Sequence, residues 1–173
     1  MTASDVALTL RPPRLADRDR VAQLVEATGV FRPDEIAVAV EVFNGAASQP
    51  GVDYHGICAL DGDALTGFTV FGPTPCTAST WDLYWIVVAP DAQGRGIGRQ
   101  LMAAAETAIR WQGGTLVVVE TSSRNDYGPT RAFYETIAYV PAAHIQNYYG
   151  PGDDLVVYIK SLSPPDAETT HNG

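Results

Sequence analysis

Lysine is almost missing from this chain. Of eleven basic residues only Lys160 is a lysine, against twenty aspartates and glutamates, and the formal net charge is −9. With no lysine-rich arm to neutralise phosphates, generic nucleic-acid binding is excluded. Cysteine is as scarce: Cys58 and Cys76 are the only two, too few for a disulfide framework or a zinc cluster. His55, His144 and His171 show no ligand spacing, so no metal is expected. Met1–Val6 is polar, so no secretory leader is read, and a reducing, cytoplasmic setting is expected. The apolar run Trp85–Ala89 falls far short of the ~20 residues that cross a bilayer, which argues against a membrane partner.

What is present suits a folded globule. The chain has 173 residues, 46% of them hydrophobic and 18% charged, enough for one domain with a sizeable core. That domain is expected over residues 1–162. The remaining 163–173 segment is rich in Pro, Thr and acid and reads as a disordered tail.

Periodicity divides the body into alternating elements. Leu8–Arg11 reads as a short strand stopped by Pro12–Pro13. Helical spacing runs from Leu15 to Thr28, with Asp17 or Asp19 near its start and Gly29 as its stop, and a second helix runs from Pro33 to Gly45. Tyr54–Leu60 and Leu65–Phe71 flank Asp61–Gly62–Asp63 as a hairpin, and Thr80–Val88 is an aromatic, β-branched strand ended by Pro90. Gly98–Gln112 is an amphipathic helix, Thr115–Glu120 a doubly buried strand, and Pro129–Ile137 a short helix. Val140–Tyr148 and Leu155–Ile159 close the chain as a strand pair. The order implies an α/β fold: one mixed sheet of about seven strands flanked by four helices.

The most informative segment joins the third long strand to the amphipathic helix: Gln93–Gly94–Arg95–Gly96–Ile97–Gly98–Arg99. Alternate glycines let backbone approach an anion closely. The amides at the helix start carry the positive end of its dipole, so a pyrophosphate is the natural guest, with Arg95 and Arg99 adding charge. A Walker loop is excluded because no Lys follows the glycines. A dinucleotide-binding loop is the runner-up. Glu120 lies where a ribose-binding acid would sit, but Arg99 takes the place of the third Gly and no first βαβ unit precedes the loop.

This loop, with its Val88–Ala89–Pro90 lead-in, resembles the Gln/Arg-x-x-Gly-x-Gly/Ala motif of the GNAT superfamily of acyl-CoA-dependent N-acetyltransferases. Ala132–Phe133–Tyr134–Glu135–Thr136–Ile137–Ala138–Tyr139 is similar to that family's Ala-x-x-Phe-Tyr-Glu-x-x-Gly-Phe helix. The resemblance covers about residues 6–161 and implies acetyl-CoA as co-substrate, no metal, and direct attack by an amine in a ternary complex. It further implies that the pantetheine arm runs along Ile86–Val87–Val88 and that Gln93 through Arg99 hold the pyrophosphate. Two departures stand out. Ala138 replaces the usual Gly, at a cost of about 1 kcal/mol if the position is left-handed. The Thr121–Thr130 loop looks about two residues longer than in many members, leaving Asn125 as the best match for the cofactor-facing Asn.

Acetyl transfer needs a deprotonated amine, a stabilised oxyanion and a proton for the leaving thiolate. Tyr134 matches the family tyrosine beside the sulfur and is the candidate acid. Asp82 and Glu120 are the candidate bases, each at a position where some members carry a catalytic Glu, and the residues leave the choice open. Tyr84 shares the Asp82 face at period two. Tyr148–Tyr149, followed by Gly150–Pro151–Gly152–Asp153–Asp154, resembles a substrate-covering hairpin, and Phe31 with Arg32 is read as the opposite wall. A non-catalytic acyl-CoA-binding module is the other class of reading, and a homodimer is compatible with either.

Overall fold

The computed structural model describes residues 8–165. Their order is β1 (Leu8–Arg11), α1 (Arg18–Ala27), α2 (Pro33–Ser48), β2 (His55–Asp61), β3 (Ala64–Pro73), β4 (Thr80–Val88), α3 (Ile97–Trp111), β5 (Leu116–Ser122), α4 (Gly128–Thr136), β6 (Val140–Gly150) and β7 (Asp153–Ser161). Seven strands form one sheet, ordered β1-β2-β3-β4-β5-β7-β6, with β4–β5 its single parallel pair among the described residues. This is the mixed α/β architecture the element order implied. The polar N-terminus, His171 and the tail beyond residue 165 lie outside the described residues. Among those described, no helix is long and apolar enough to cross a membrane.

Local chemistry sets the helix boundaries. Asp17 accepts the Arg14 N–H at 3.0 Å and two bonds from the Arg11 guanidinium at 2.7 and 2.8 Å, fixing the turn into α1. The Arg11 bond holds the Asp17 carboxyl below its usual range. At α2, Pro33 sits in the first turn and Glu35 accepts the Arg32 N–H at 2.7 Å. Gly45 was expected to end this helix, yet α2 continues to Ser48. Its missing side chain serves packing instead, because a Cβ there would stand 2.8 Å from the Tyr54 ring.

Strand β3 lies mid-sheet with Leu65 through Gly72 all buried, as expected where helices cover both faces. Antiparallel partners point the same way, so register sorts the side chains. Cys58, Phe68 and Val87 align across β2, β3 and β4, and Phe68 meets Phe43 of α2 edge-on with ring centroids 5.4 Å apart. Gly67 and Val88 take the opposite face, where a Cβ on Gly67 would press to 3.3 Å from Ile97 and Leu101 of α3. The start of α3 can therefore lie directly on the sheet.

The lone lysine is structural. Lys160 reaches both oxygens of Glu106 at 2.9 Å, and the Tyr139 hydroxyl donates to the same carboxylate at 3.2 Å. Glu106 is only 6% exposed, and these partners make its burial tolerable. Helix α4 ends in a motif that ties it to this cluster. The Tyr139 N–H donates to Tyr134 O at 3.0 Å and the Ala138 N–H to Glu135 O at 3.2 Å, with Ala138 left-handed at φ 68°. The apolar contact typical of that motif is the Tyr134–Tyr139 ring pair, 5.7 Å between centroids. Ala138→Gly therefore relieves strain and should stabilise the protein by about 0.5–1 kcal/mol after the unfolded-state entropy of Gly is counted. Thermal unfolding should show a midpoint raised by about 2 °C; a lowered midpoint would show that the left-handed Ala is not strained.

Candidate active site

The site begins where two parallel strands separate. β4 and β5 pair from Thr80–Leu116 to Leu83–Val119 and no further, although β4 runs on to Val88 and β5 to Ser122. A cavity of about 560 Å³ occupies the gap, lined by β4 from Asp82 to Val88, by Val118 and Glu120 of β5, and by α4. The Ala89 N–H donates to Thr66 O on the β3 side at 2.8 Å. Strand alternation therefore turns the Val88 N–H and C=O toward the gap, where the Gln93 amide donates to Val88 O at 3.2 Å.

A bulge in β4 shapes the walls. Val70 pairs with Trp85 but Phe71 pairs with Leu83, leaving Tyr84 as an extra residue. Parity flips there, so Tyr84 and Trp85 both face the α1–α2 side while Ile86 and Val88 face α3 and α4. Tyr84 packs edge-on against Tyr54 at 5.3 Å, and Trp85 meets Phe31, from the loop between α1 and α2, at 5.1 Å. Burial pushes the Tyr84 hydroxyl up. Asp82 shares this face and accepts a 2.8 Å bond from Thr74 Oγ1. Glu120 is two residues beyond Val118, the partner of Asp82, and points the same way. It lies two residues inside the strand rather than ending it as expected, since β5 continues to Ser122.

Tyr134 enters from the other face. Its ring packs against Phe133, Tyr139 and Tyr158 with centroids 5.5, 5.7 and 6.0 Å away. The residue is 4% exposed, lines the cavity, and its hydroxyl has no hydrogen-bond partner among the described residues. Burial holds this phenol protonated far above neutral pH. The gap thus has a protonated phenol on one side of the sheet and two carboxylates on the other.

Beyond Gln93, which lines the cavity, comes the glycine loop. Gly94 and Gly96 are left-handed at φ 77° and 79°, with nothing within 4 Å of where a Cβ would be. Gly96 is the N-cap of α3, whose first turn holds no acid. The first helical bond is Gln100 N–H to Gly96 O at 3.0 Å, so the amides of Ile97, Gly98 and Arg99 are free to bind an anion. Gly98 has another reason to be small: a Cβ would press to 3.3 Å from the Phe133 ring. Arg99 makes no ion pair among the described residues, whereas Arg95, also expected on the phosphates, is tied to Asp61 at 2.8 Å.

The far wall is the β6–β7 hairpin. Pairing skips from Ile145–Leu155 to Gly150–Asp153, so β6 bulges by several residues. Asn147, at φ 54°, donates its N–H to Asp154 and accepts the Gly152 N–H, both at 2.8 Å, and His144 bonds Asp154 at 2.6 Å. The bond from Asn147, and next that from His144, hold the Asp154 carboxyl below its usual range. The bulge carries Tyr149 into the cavity lining, where burial first and the charge of Glu120 next push its hydroxyl up to about 12. Tyr148 stacks on it edge-on at 5.0 Å and stays outside the lining, 55% exposed.

The structure brings together most residues read from the sequence: Phe31, Asp82, Tyr84, Ile86, Val87, Val88, Gln93, Glu120, Tyr134 and Tyr149 all line one cavity. Gly94 through Arg99 follow Gln93 but are not in the lining, and Asn125 does not join it either; it opens a 3-10 turn, Asn125–Tyr127. Sequence reasoning missed Glu35, Trp85, Arg124 and Tyr127, which also line it, while Asp153, read with the hairpin, does join the lining. Trp85 was hidden by the bulge, and the others lie on loops or helix starts without periodicity.

Residues 53–141 match the family model for the acetyltransferase (GNAT) domain. No curated protein matches the sequence. Among solved structures, a GNAT-family protein from Desulfovibrio desulfuricans is 38% identical over 91% of this chain and 100% of its own, with a TM-score of 0.87. The ribosomal-protein-S18-alanine N-acetyltransferase of Escherichia coli is 19% identical, covering 94% of this chain and 97% of its own, with a TM-score of 0.72. The YncA protein of Salmonella typhimurium, solved with acetyl-CoA, is also 19% identical, covering 93% and 97%, with a TM-score of 0.72.

A carboxylate placed at the start of α3 should repel a diphosphate. Gly96→Asp should weaken CoA binding at least about a hundredfold, while Gly96→Ala, which adds strain without charge, should cost about tenfold. Calorimetric titration separates them, and equal affinities for wild type and the Asp variant would remove the loop from the binding site.

Proposed function

The chain is an enzyme of the GNAT acetyltransferase family, and on that premise we propose that it transfers acetyl from acetyl-CoA to a primary amine by direct attack. One observation carries the reading. The gap between β4 and β5 has an unpartnered, protonated Tyr134 hydroxyl on one face and Glu120 with Asp82 on the other, and the start of α3, suited to an anion, lies a few residues beyond Gln93 of the same cavity.

The residues fit the co-substrate. Backbone of Ile86 and Val88 turned into the gap can pair with a pantetheine arm as an added strand, and the amides of Ile97 to Arg99 suit its diphosphate. Bound there, acetyl-CoA supplies an activated thioester. The amine reaches it from the α1–α2 face, where Glu120 or Asp82 takes a proton, directly or through water. Val88 N–H stabilises the charge that grows on the acyl oxygen as the C–N bond forms. The C–S bond breaks on the opposite face, where Tyr134 hands its proton to the departing thiolate. Because the phenol is held protonated by burial, it reaches the step loaded.

Tyr134→Phe should lower kcat about 10- to 10⁴-fold with acetyl-CoA affinity unchanged; full turnover in this variant removes its role as acid. Glu120→Gln and Asp82→Asn, compared across pH, should identify the proton acceptor as the one whose loss abolishes the acidic limb of the profile. Two unaltered profiles would mean that the amine arrives already deprotonated. The broad test of the reading is thiol release from acetyl-CoA with a panel of amines: binding without any acceptor-dependent release would leave a non-catalytic acyl-CoA-binding module.

A further inference from the structure

Charge around the acceptor side of the cavity is not balanced. Five carboxylates and two guanidinium groups line the cavity among the described residues. Both cations are already engaged. Arg124 bonds Asp126 through two nitrogens at 3.1 Å and lies 3.9 Å from Asp153, while Arg32 bonds Asp34 at 3.2 Å and approaches Glu35 at 3.8 Å. The nearby Arg131 spends its guanidinium on the carbonyls of Ser122 and Arg124. Asp82 and Glu120 are left with no cationic partner among the described residues.

These two carboxylates lie on one face of neighbouring strands. Asp82 pairs with Val118, and Glu120 is two residues further along β5, which puts their Cα atoms about 8 Å apart from strand rise and spacing. Aromatic rings of Trp85 and Tyr84 stand between Asp82 and the reactive end of the gap, and such faces attract ammonium groups. Tyr134, a residue 4% exposed that lines the same cavity from the opposite face with no hydrogen-bond partner for its hydroxyl among the described residues, is a second sign that the space takes a ligand.

We propose that the acceptor is a doubly cationic amine, a short alkyl diamine or a compound presenting two ammonium groups at that spacing. Glu120 faces the amine that reacts, and Asp82 holds the second ammonium. A free amino acid is disfavoured because its carboxylate would meet unpaired Asp82 and no free cation. The inference rests on the amine-acetyltransferase reading and narrows it to a substrate class.

Three acceptors differing only at the far end test it: 1-aminobutane, 1,4-diaminobutane and 4-aminobutanoate, each followed by thiol release with saturating acetyl-CoA. The expected order in kcat/KM is diamine, monoamine, amino acid, with the diamine ahead of the monoamine at least about tenfold. Asp82→Asn, which keeps size and shape, should bring the diamine-to-monoamine ratio close to one. A monoamine or aminobutanoate that matches the diamine overturns the inference and leaves the acetyltransferase reading standing, as does a ratio that survives Asp82→Asn. No release with any of the three also overturns it, and the wider amine panel then decides the parent reading separately.

Discussion

Parallel strands β4 and β5 share only four residue pairs, and beyond Leu83–Val119 the facing edges carry backbone donors and acceptors with no partner on the other strand. Unpaired backbone in a protein interior is costly, so a gap of this kind persists only where the surrounding packing imposes it. Here the imposition is visible. β4 is held along its other edge by β3 through Gly67–Val88, and β5 is held along its other edge by β7 as far as Ser122–Leu155. Each strand is anchored on the side away from the gap, so neither can swing in to close it.

The bulge at Tyr84 divides the labour between the two faces of that gap. Without the extra residue, Trp85 would follow Leu83 onto the α3 side, and Ile86 would lie with Asp82 and Tyr84. With it, the aromatic and acidic side chains gather toward α1 and α2 while the apolar end of β4 serves the α3–α4 side. Tyr134 belongs to that second side, clamped by Tyr139 through the helix-ending motif and by Tyr158 from β7. A protonated phenol and two carboxylates are thereby kept on opposite sides of one opening, the separation that the proposed reaction, which takes a proton from one group and gives one to another, would use.

Much of this was legible in the residues because the relevant signals are local. Strand and helix periods, Pro33 in a first turn, the alternate glycines before α3 and the Phe133–Tyr134 helix each act over a few positions. The residues on either side of the gap, Asp82, Glu120 and Tyr134, were therefore found before their geometry was known. The misses share a different origin. Gly45 reads as a helix stop by propensity, but its role depends on Tyr54, nine residues on and beyond the end of the helix. Trp85 follows the strand alternation until a bulge reverses it, and nothing in the local pattern marks an inserted residue. The Arg95–Asp61 ion pair went unread because Asp61 sits in a hairpin more than thirty residues earlier.

The same distinction explains why the acceptor side is the harder half to read. The cofactor side depends on backbone amides and small residues, whose requirements leave a sequence trace. The acceptor side depends on which charges remain after ion pairing, and pairing is a property of the folded chain. Arg124 and Arg32 would suggest a site for a carboxylate if counted from the sequence; in the fold they are consumed by Asp126, Asp153, Asp34 and Glu35. What is left over is negative, in a chain already at −9. A cleft of that sign, walled by aromatic side chains, concentrates cations and excludes anions before any contact is made, so the proposed selection among amines would begin with charge and be completed by the spacing of Asp82 and Glu120.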